Sequence, residues 1–195
     1  MQENDNLNTA LERGEVIAFE TDTVWGIGVL PESEEGVDKI YEIKHRDRSK
    51  PLILMSDDIK YLLPYVENLP PSGKLIAEKY FPGAVTLVVK KSERTPDYIT
   101  NSMPTVGIRI PNHEGFRNLC KKIKGHVLAT TSANISNGKT SVCRKDVETS
   151  IGNKIYKIYG EDTNIEGVAS TVVSVGEDNS IKILRQGSVN FENGF

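Results

Sequence analysis

Cysteine is scarce: Cys120 and Cys143 are the two in 195 residues. They stand far apart, with no Cys-x-x-Cys and no adjacent histidine pair. That argues against a structural zinc site or a disulfide framework and fits a reducing cytoplasm. His45, His113 and His126 have no metal-ligand spacing. An excess of basic charge is also missing, with 24 Lys plus Arg against 27 Asp plus Glu and a formal charge of −3. Nucleic-acid binding over the whole surface is therefore disfavoured, although a local basic groove stays open. No apolar run approaches the length of a membrane span, and the polar, acidic start is wrong for a signal peptide. A membrane partner is thus not expected, and a cytoplasmic location is. Internal repeats and low-complexity tracts are lacking. So are both common phosphate cradles, Gly-x-x-x-x-Gly-Lys-Ser/Thr and Gly-x-Gly-x-x-Gly. There is no Gly-x-Ser-x-Gly, and no Ser/His/Asp or Cys/His grouping stands out. A covalent nucleophile is disfavoured, which leaves charge neutralisation and positioning as catalytic means. These suffice for transfer at phosphorus.

The length suits one domain over residues 1–195 with a core of its own. Helical spacing of Leu7 and Leu11 predicts a helix over residues 4–13, stopped by Gly14. Residues 16–19 read as a buried strand running into a polar loop over residues 20–28, which holds Thr21, Thr23, Trp25, Gly26 and Gly28. Trp25 suits a core plug, and the threonines suit either a turn or a ligand. Ser33 can cap the next helix, in which Val37, Ile40, Tyr41 and Lys44 share one stripe. Strands are expected at 51–55, 84–90, 106–111, 127–129, 154–159, 170–175 and 181–185, and helices at 57–63, 73–80, 113–124 and 142–151. Thr86, Val88 and Lys90 share one face of their strand. Arg109 lies beside Gly107 in a short apolar strand, so it needs either a partner or the wet face of an edge strand. Residues 130–141 read as a loop dense in hydroxyls and amides, with turn chemistry at Asn137-Gly138. The order is neither clean βαβα nor all-β. It predicts a mixed α/β (α+β), three-layer domain around a twisted mixed sheet.

Against this background one run is unusual. Lys44, Arg46, Arg48 and Lys50 crowd the end of a helix and the approach to a strand in an acidic chain. Such a run is either a solvated turn complementing the helix dipole or a set of cations pinned for an anion. The inward phase of Lys44 favours the second. If the Thr21/Thr23 loop, the basic run, Thr86 with Arg109 and the 130–141 loop converge, they form a cationic cleft lined with hydroxyls. That cleft suits a nucleoside triphosphate and a small polar second substrate.

The same residues resemble a known family. Thr21-Asp-Thr-Val-Trp-Gly-Ile-Gly, Lys44-His-Arg46 with Lys50-Pro51-Leu52, Pro82-Gly-Ala-Val-Thr86-Leu, Arg109-Ile-Pro111, Thr131-Ser-Ala-Asn134, Ser170-Thr-Val and Leu184-Arg185-Gln-Gly187 follow the order of the YrdC-like threonylcarbamoyl-AMP synthases. The likeness spans residues 14–189. It implies a YrdC/RibB-like fold with a large positive cavity. It also implies synthesis of threonylcarbamoyl-AMP from L-threonine, bicarbonate or CO2, and ATP, with Mg2+ accompanying the ATP. A downstream complex would then move the threonylcarbamoyl group onto tRNA. By the resemblance, Lys44 and Arg46 are catalytic, and Arg46, Lys50, Thr86, Ser132, Asn134, Thr140, Ser141 and Arg185 contact ATP. Thr23, Thr130 and Ser170 contact threonine, and Thr21, Lys90 and Arg109 are weaker candidates. His45 and Arg48 are expected to face solvent.

Three positions depart from the family pattern: Glu20 and Gln186 replace prolines, and Trp25 replaces a tyrosine. None of these removes a charge-bearing role, but Glu20 and Trp25 together are expected to reshape the threonine pocket. The extra C-terminal domain of longer members is not expected. Two other readings stay open. One is a double-stranded RNA or tRNA-binding module without adenylation activity, against which the sparse aromatics weigh. The other is a diverged relative acting on another carbamoyl compound.

Overall fold

The computed structural model describes residues 2–136, 138–163 and 165–190. Asn137, half of the expected Asn137-Gly138 turn, lies outside them. Helix α1 (Gln2–Glu12) leads into β1 (Ile17–Phe19) and β2 (Gly26–Val29), followed by α2 (Glu34–Lys44). Then come β3 (Ile53–Ser56), α3 (Ile59–Leu62), a 3-10 turn (Leu63–Tyr65), α4 (Pro71–Tyr80) and β4 (Val85–Lys90). Next are α5 (Asp97–Thr100), β5 (Thr105–Arg109), α6 (Glu114–Cys120), β6 (Val127–Ser132) and α7 (Arg144–Ser150). A second 3-10 turn (Gly152–Lys154), β7 (Lys157–Tyr159), β8 (Thr171–Val175) and β9 (Ile181–Arg185) complete the order.

The strands join one sheet in the order β7-β1-β2-β6-β3-β5-β4-β8-β9. The pairs β1/β7, β3/β5 and β4/β8 are parallel and the rest antiparallel, so the sheet is mixed. Alternation along the strands sends residues to two cores. Ala18, Leu54, Leu87 and Ile108 join the larger cluster with side chains of α2, α4 and α5. Ile17, Phe19, Met55 and Leu128 join a smaller cluster with Leu7 and Leu11 of α1 and Phe116 and Leu119 of α6. Helices thus cover both faces, giving the expected three layers. Helices α1 and α6 cover only part of their face, and the uncovered remainder is where the cavity opens.

The sequence places most elements, with informative differences. Ser33 does cap α2, accepting from the Gly36 N–H at 3.1 Å. The supposed loop over 20–28 ends early, because Gly26–Val29 pairs with both β1 and β6. Gly26 has no room for a side chain, since a Cβ there would sit 2.6 Å from the Phe19 ring. Likewise Thr130, Thr131 and Ser132 are strand, not loop, paired to Gly28, Ile27 and Gly26. β-Branched threonines fit a pleated surface whatever their hydroxyls suggest. Helix α5 was not expected. It is a single turn whose Ile99 carbonyl accepts the Leu52 N–H at 2.9 Å.

Candidate active site

A cavity of about 300 Å³ opens on the sheet face left bare by α1 and α6. Its floor is built by alternate residues of β3, β4, β5 and β6: Ile53, Met55, Thr86, Arg109, Thr130 and Ser132. Their sheet neighbours Leu54, Leu87, Ile108 and Ala129 point to the opposite core. Its walls come from the first loop, through Thr21, Thr23 and Trp25, and from Arg46, Thr140, Ser170 and Arg185.

Two hydrogen-bonded clusters shape the polar lining. In the first, the buried Arg109 guanidinium donates to Asp22 Oδ1 at 2.5 Å, Thr23 Oγ1 at 2.8 Å and the Gly83 carbonyl at 3.0 Å. Thr21 Oγ1 donates to the Val24 carbonyl at 2.6 Å, so across the 3.1 Å contact Thr23 donates to Thr21. Arg109 belongs to a strand flanked by β3 and β4, and it is 2% exposed. The wet-edge-strand reading is therefore corrected: an interior strand needs a partner for a buried guanidinium, and Asp22 is that partner. In the second cluster, Thr86 Oγ1 and Ser170 Oγ are 2.8 Å apart, and Arg185 Nη2 donates to the Ser170 carbonyl at 2.7 Å. Arg46 folds over its own turn, donating to the Lys50 carbonyl and the Pro51 carbonyl, each at 3.1 Å.

Burial draws the Arg46, Arg109 and Arg185 guanidinium groups below their ordinary values. In Arg109 the Asp22 charge opposes this, while Arg185 adds to it. Partly desolvated cations at a cavity wall gain when an anion replaces lost water.

The structure brings together Thr21, Thr23, Arg46, Thr86, Arg109, Thr130, Ser132, Thr140, Ser170 and Arg185. It does not bring the other five expected residues to the wall. Lys44 is fully buried behind it, its Nζ donating to the carbonyls of Ser132 and Asn134. Asn134 uses its amide on the Ile135 and Gly138 carbonyls, at 3.0 and 3.1 Å, and accepts from Ser132 Oγ at 2.6 Å. Ser141 Oγ donates to the Ala133 carbonyl. Lys50 is exposed outside the cavity. Lys90 lies at the far end of β4, ion-paired to Glu67 at 3.2 Å and Glu177 at 3.1 Å. His45 and Arg48 are exposed as expected, His45 closing α2 in the left-handed conformation and Arg48 pairing with Asp38.

Asp22, Met55 and Val172 were missed. Met55 was legible from the period-2 alternation of its strand, and Asp22 from its place between the two threonines. The two departures in the first loop are both anchored. Trp25 is a core plug and a cavity wall at once, its Nε1 donating to Asp162 Oδ1 at 3.0 Å. Glu20 Oε2 accepts the Glu161 N–H at 2.9 Å. Both therefore tie the first loop to residues 160–163.

Fold and site together define a mixed α/β domain with a hydroxyl-lined cavity carrying guanidinium groups. The Sua5/YciO/YrdC family model, described as telomere recombination, matches residues 9–187, and the chain belongs to that family. The threonylcarbamoyl-AMP synthase of Vibrio parahaemolyticus is 28% identical over 96% of this chain and 100% of its own length. That of Pyrococcus abyssi is 33% identical over 93% of this chain and 53% of its own length. The crystal structure of P. abyssi Sua5 complexed with L-threonine aligns with a TM-score of 0.87 at 32% identity, covering 95% of this chain and 54% of that one. The chain thus spans about half the length of the P. abyssi protein.

Proposed function

We propose that the chain is an L-threonylcarbamoyladenylate synthase. It joins L-threonine, bicarbonate and ATP into threonylcarbamoyl-AMP and releases pyrophosphate. One observation carries this reading: a single cavity holds desolvated guanidinium groups beside a hydroxyl cluster, and the relatives that match over their full length bear this activity as their name. A triphosphate needs the first feature and a small hydroxy amino acid the second.

Arg46 and Arg185, with Thr86, Ser132 and Thr140, receive the nucleotide. Thr21, Thr23, Thr130 and Ser170 hold threonine, with Arg109 fixing Asp22 and Thr23 beneath it. The neutral threonine amine attacks the carbon of CO2, a C=O π pair moves onto oxygen and one amine proton passes to water, giving the N-carboxylate; bicarbonate reaches the same product with loss of one oxygen as water. A carboxylate oxygen then attacks the α-phosphorus, the bond from that phosphorus to the bridging oxygen breaks, and pyrophosphate departs with the electron pair. The protein's contribution is positioning and neutralisation of charge on the departing phosphates. Mg2+ would arrive on the ATP phosphates and keep most of its waters. Among the described residues no group of three or more His, Cys, Asp or Glu is placed to hold a metal, and no step is assigned to one.

The product is a reactive mixed anhydride, and transfer to tRNA by a downstream complex in the cytoplasm is its expected fate. No described helix is long and apolar enough to cross a membrane. The test is pyrophosphate release from ATP with threonine or bicarbonate omitted in turn. Release should require both, and release that ignores threonine overturns the proposal.

A further inference from the structure

Residues 132–141 supply Ser132 and Thr140 to the cavity wall, yet the wall is only the outer surface of that segment. The inner surface of residues 132–136 is folded around one side chain. The Lys44 ammonium donates to the Ser132 and Asn134 carbonyls, and the Lys44 carbonyl accepts the Ser136 N–H at 2.8 Å. Asn134 N–H bonds the Ser132 carbonyl at 3.0 Å, and the Asn134 amide reaches Ile135 and Gly138. Ala133 is fixed from both sides, by its N–H on the Trp25 carbonyl at 2.8 Å and by Ser141 Oγ on its own carbonyl. The Ser132 carbonyl also holds the Asn134 N–H, so the particular effect of the Lys44 donor is to tie that carbonyl to the Asn134 carbonyl two residues on. An ammonium on a four-carbon stem is a point donor that can reach two of them at once.

We infer that Lys44 is a positioning residue and not a phosphate ligand: its ammonium clamps the inward carbonyls of Ser132 and Asn134, and so fixes where the Ser132 and Thr140 hydroxyls meet the nucleotide. Within the basic run the roles then divide. Arg46 reaches the cavity and Lys44 builds its wall from behind. This rests on the synthase reading only for which ligand the wall receives; the clamp itself does not depend on it.

The test compares wild type with Lys44→Met, which keeps the stem and removes the donors. Amide hydrogen exchange across 132–141 should speed up by about tenfold or more as the segment loosens. Pyrophosphate release should fall by about 100-fold, as for loss of preorganisation. The affinity for inorganic tripolyphosphate should stay within about twofold, because no phosphate contact has been removed. A drop of tenfold or more in tripolyphosphate affinity with unchanged exchange over 132–141 overturns the proposal. If Lys44→Met does not fold, wild type decides alone. In protein carrying 15N-labelled lysine side chains, saturating tripolyphosphate should leave the Lys44 Nζ resonance in place. In a parallel sample labelled at arginine, the Arg46 and Arg185 signals should move. A Lys44 resonance that moves with the arginines overturns it. A wild type that releases no pyrophosphate sinks the synthase reading separately, while the exchange and resonance measurements still decide on Lys44.

Discussion

Arg109 gives the sharpest stability prediction. Its guanidinium is buried in the interior of the sheet and pairs with Asp22 at 2.5 Å, the two side chains being 3% and 12% exposed. Arg109→Met keeps the stem and deletes the charge, leaving Asp22 without its ion pair and Thr23 without a donor. Breaking a buried pair from one side costs about 3–5 kcal/mol, because the remaining charge stays desolvated. At roughly 2–4 °C per kcal/mol for a chain of this size, the melting temperature should fall by about 6–20 °C. Urea denaturation gives the free energy directly, with an unchanged m-value marking an intact folded state. The double variant Arg109→Met/Asp22→Asn removes the orphaned charge and should recover a large part of the loss, appearing as non-additivity in the cycle. If Arg109→Met costs under about 1 kcal/mol, a value ordinary for exposed pairs, the account of a buried, interior-strand ion pair is wrong.

Arg46→Ala should lower kcat/KM for pyrophosphate release by about 100-fold, as expected for removal of one preorganised charged donor, while costing about 1–3 kcal/mol of stability from its lost bonds to the Lys50 and Pro51 carbonyls, so that the protein stays folded. Full activity would remove Arg46 from the phosphate site. Lys90→Ala should leave turnover within about twofold and cost at most about 1 kcal/mol, since its pairs with Glu67 and Glu177 are exposed. A large activity loss would mean that the cavity extends to the far end of β4. Thr86→Val should cost about 0.5–1.5 kcal/mol in denaturant titrations, since it removes the 2.8 Å bond between Thr86 Oγ1 and Ser170 Oγ and leaves Ser170 Oγ only the 3.3 Å bond from Arg185 Nη2. No loss would show that Ser170 turns to Arg185 instead. A pH series tests Lys44. Burial, then the Arg46 charge, lowers its pKa from 10.5 to about 7. Between those two values the unfolded chain holds a proton that the folded chain has released. Lys44 therefore adds a positive slope to stability as pH rises through that window, of up to about 1.4 kcal/mol per pH unit. The slope should be absent in Lys44→Met, and equal slopes in the two proteins would refute the shift.

What the sequence reveals and what it hides follow from the same physics. Period-2 alternation in Val85–Lys90 assigns Leu87 to a core and Thr86 to the other face, because pleating alone sets that choice. Helical phase likewise puts Lys44 inside. Neither period says what stands across from a side chain. That depends on strand order, and β5 is central only because β3 and β4 flank it. Arg109 consequently reads equally well as wet or as paired until the sheet is assembled. Hydroxyls and amides are harder still, because one donor serves a ligand or a main-chain carbonyl with the same chemistry. Ser132, Asn134, Thr140 and Ser141 belong to one dense stretch and look alike in it. Once the segment closes around Lys44, Ser132 and Thr140 line the cavity while Asn134 and Ser141 turn to the backbone. A motif therefore marks where polar groups gather. Which of them are left for a ligand is decided by how many inward carbonyls the local backbone must satisfy, and at residues 132–141 that demand takes up Lys44 as well.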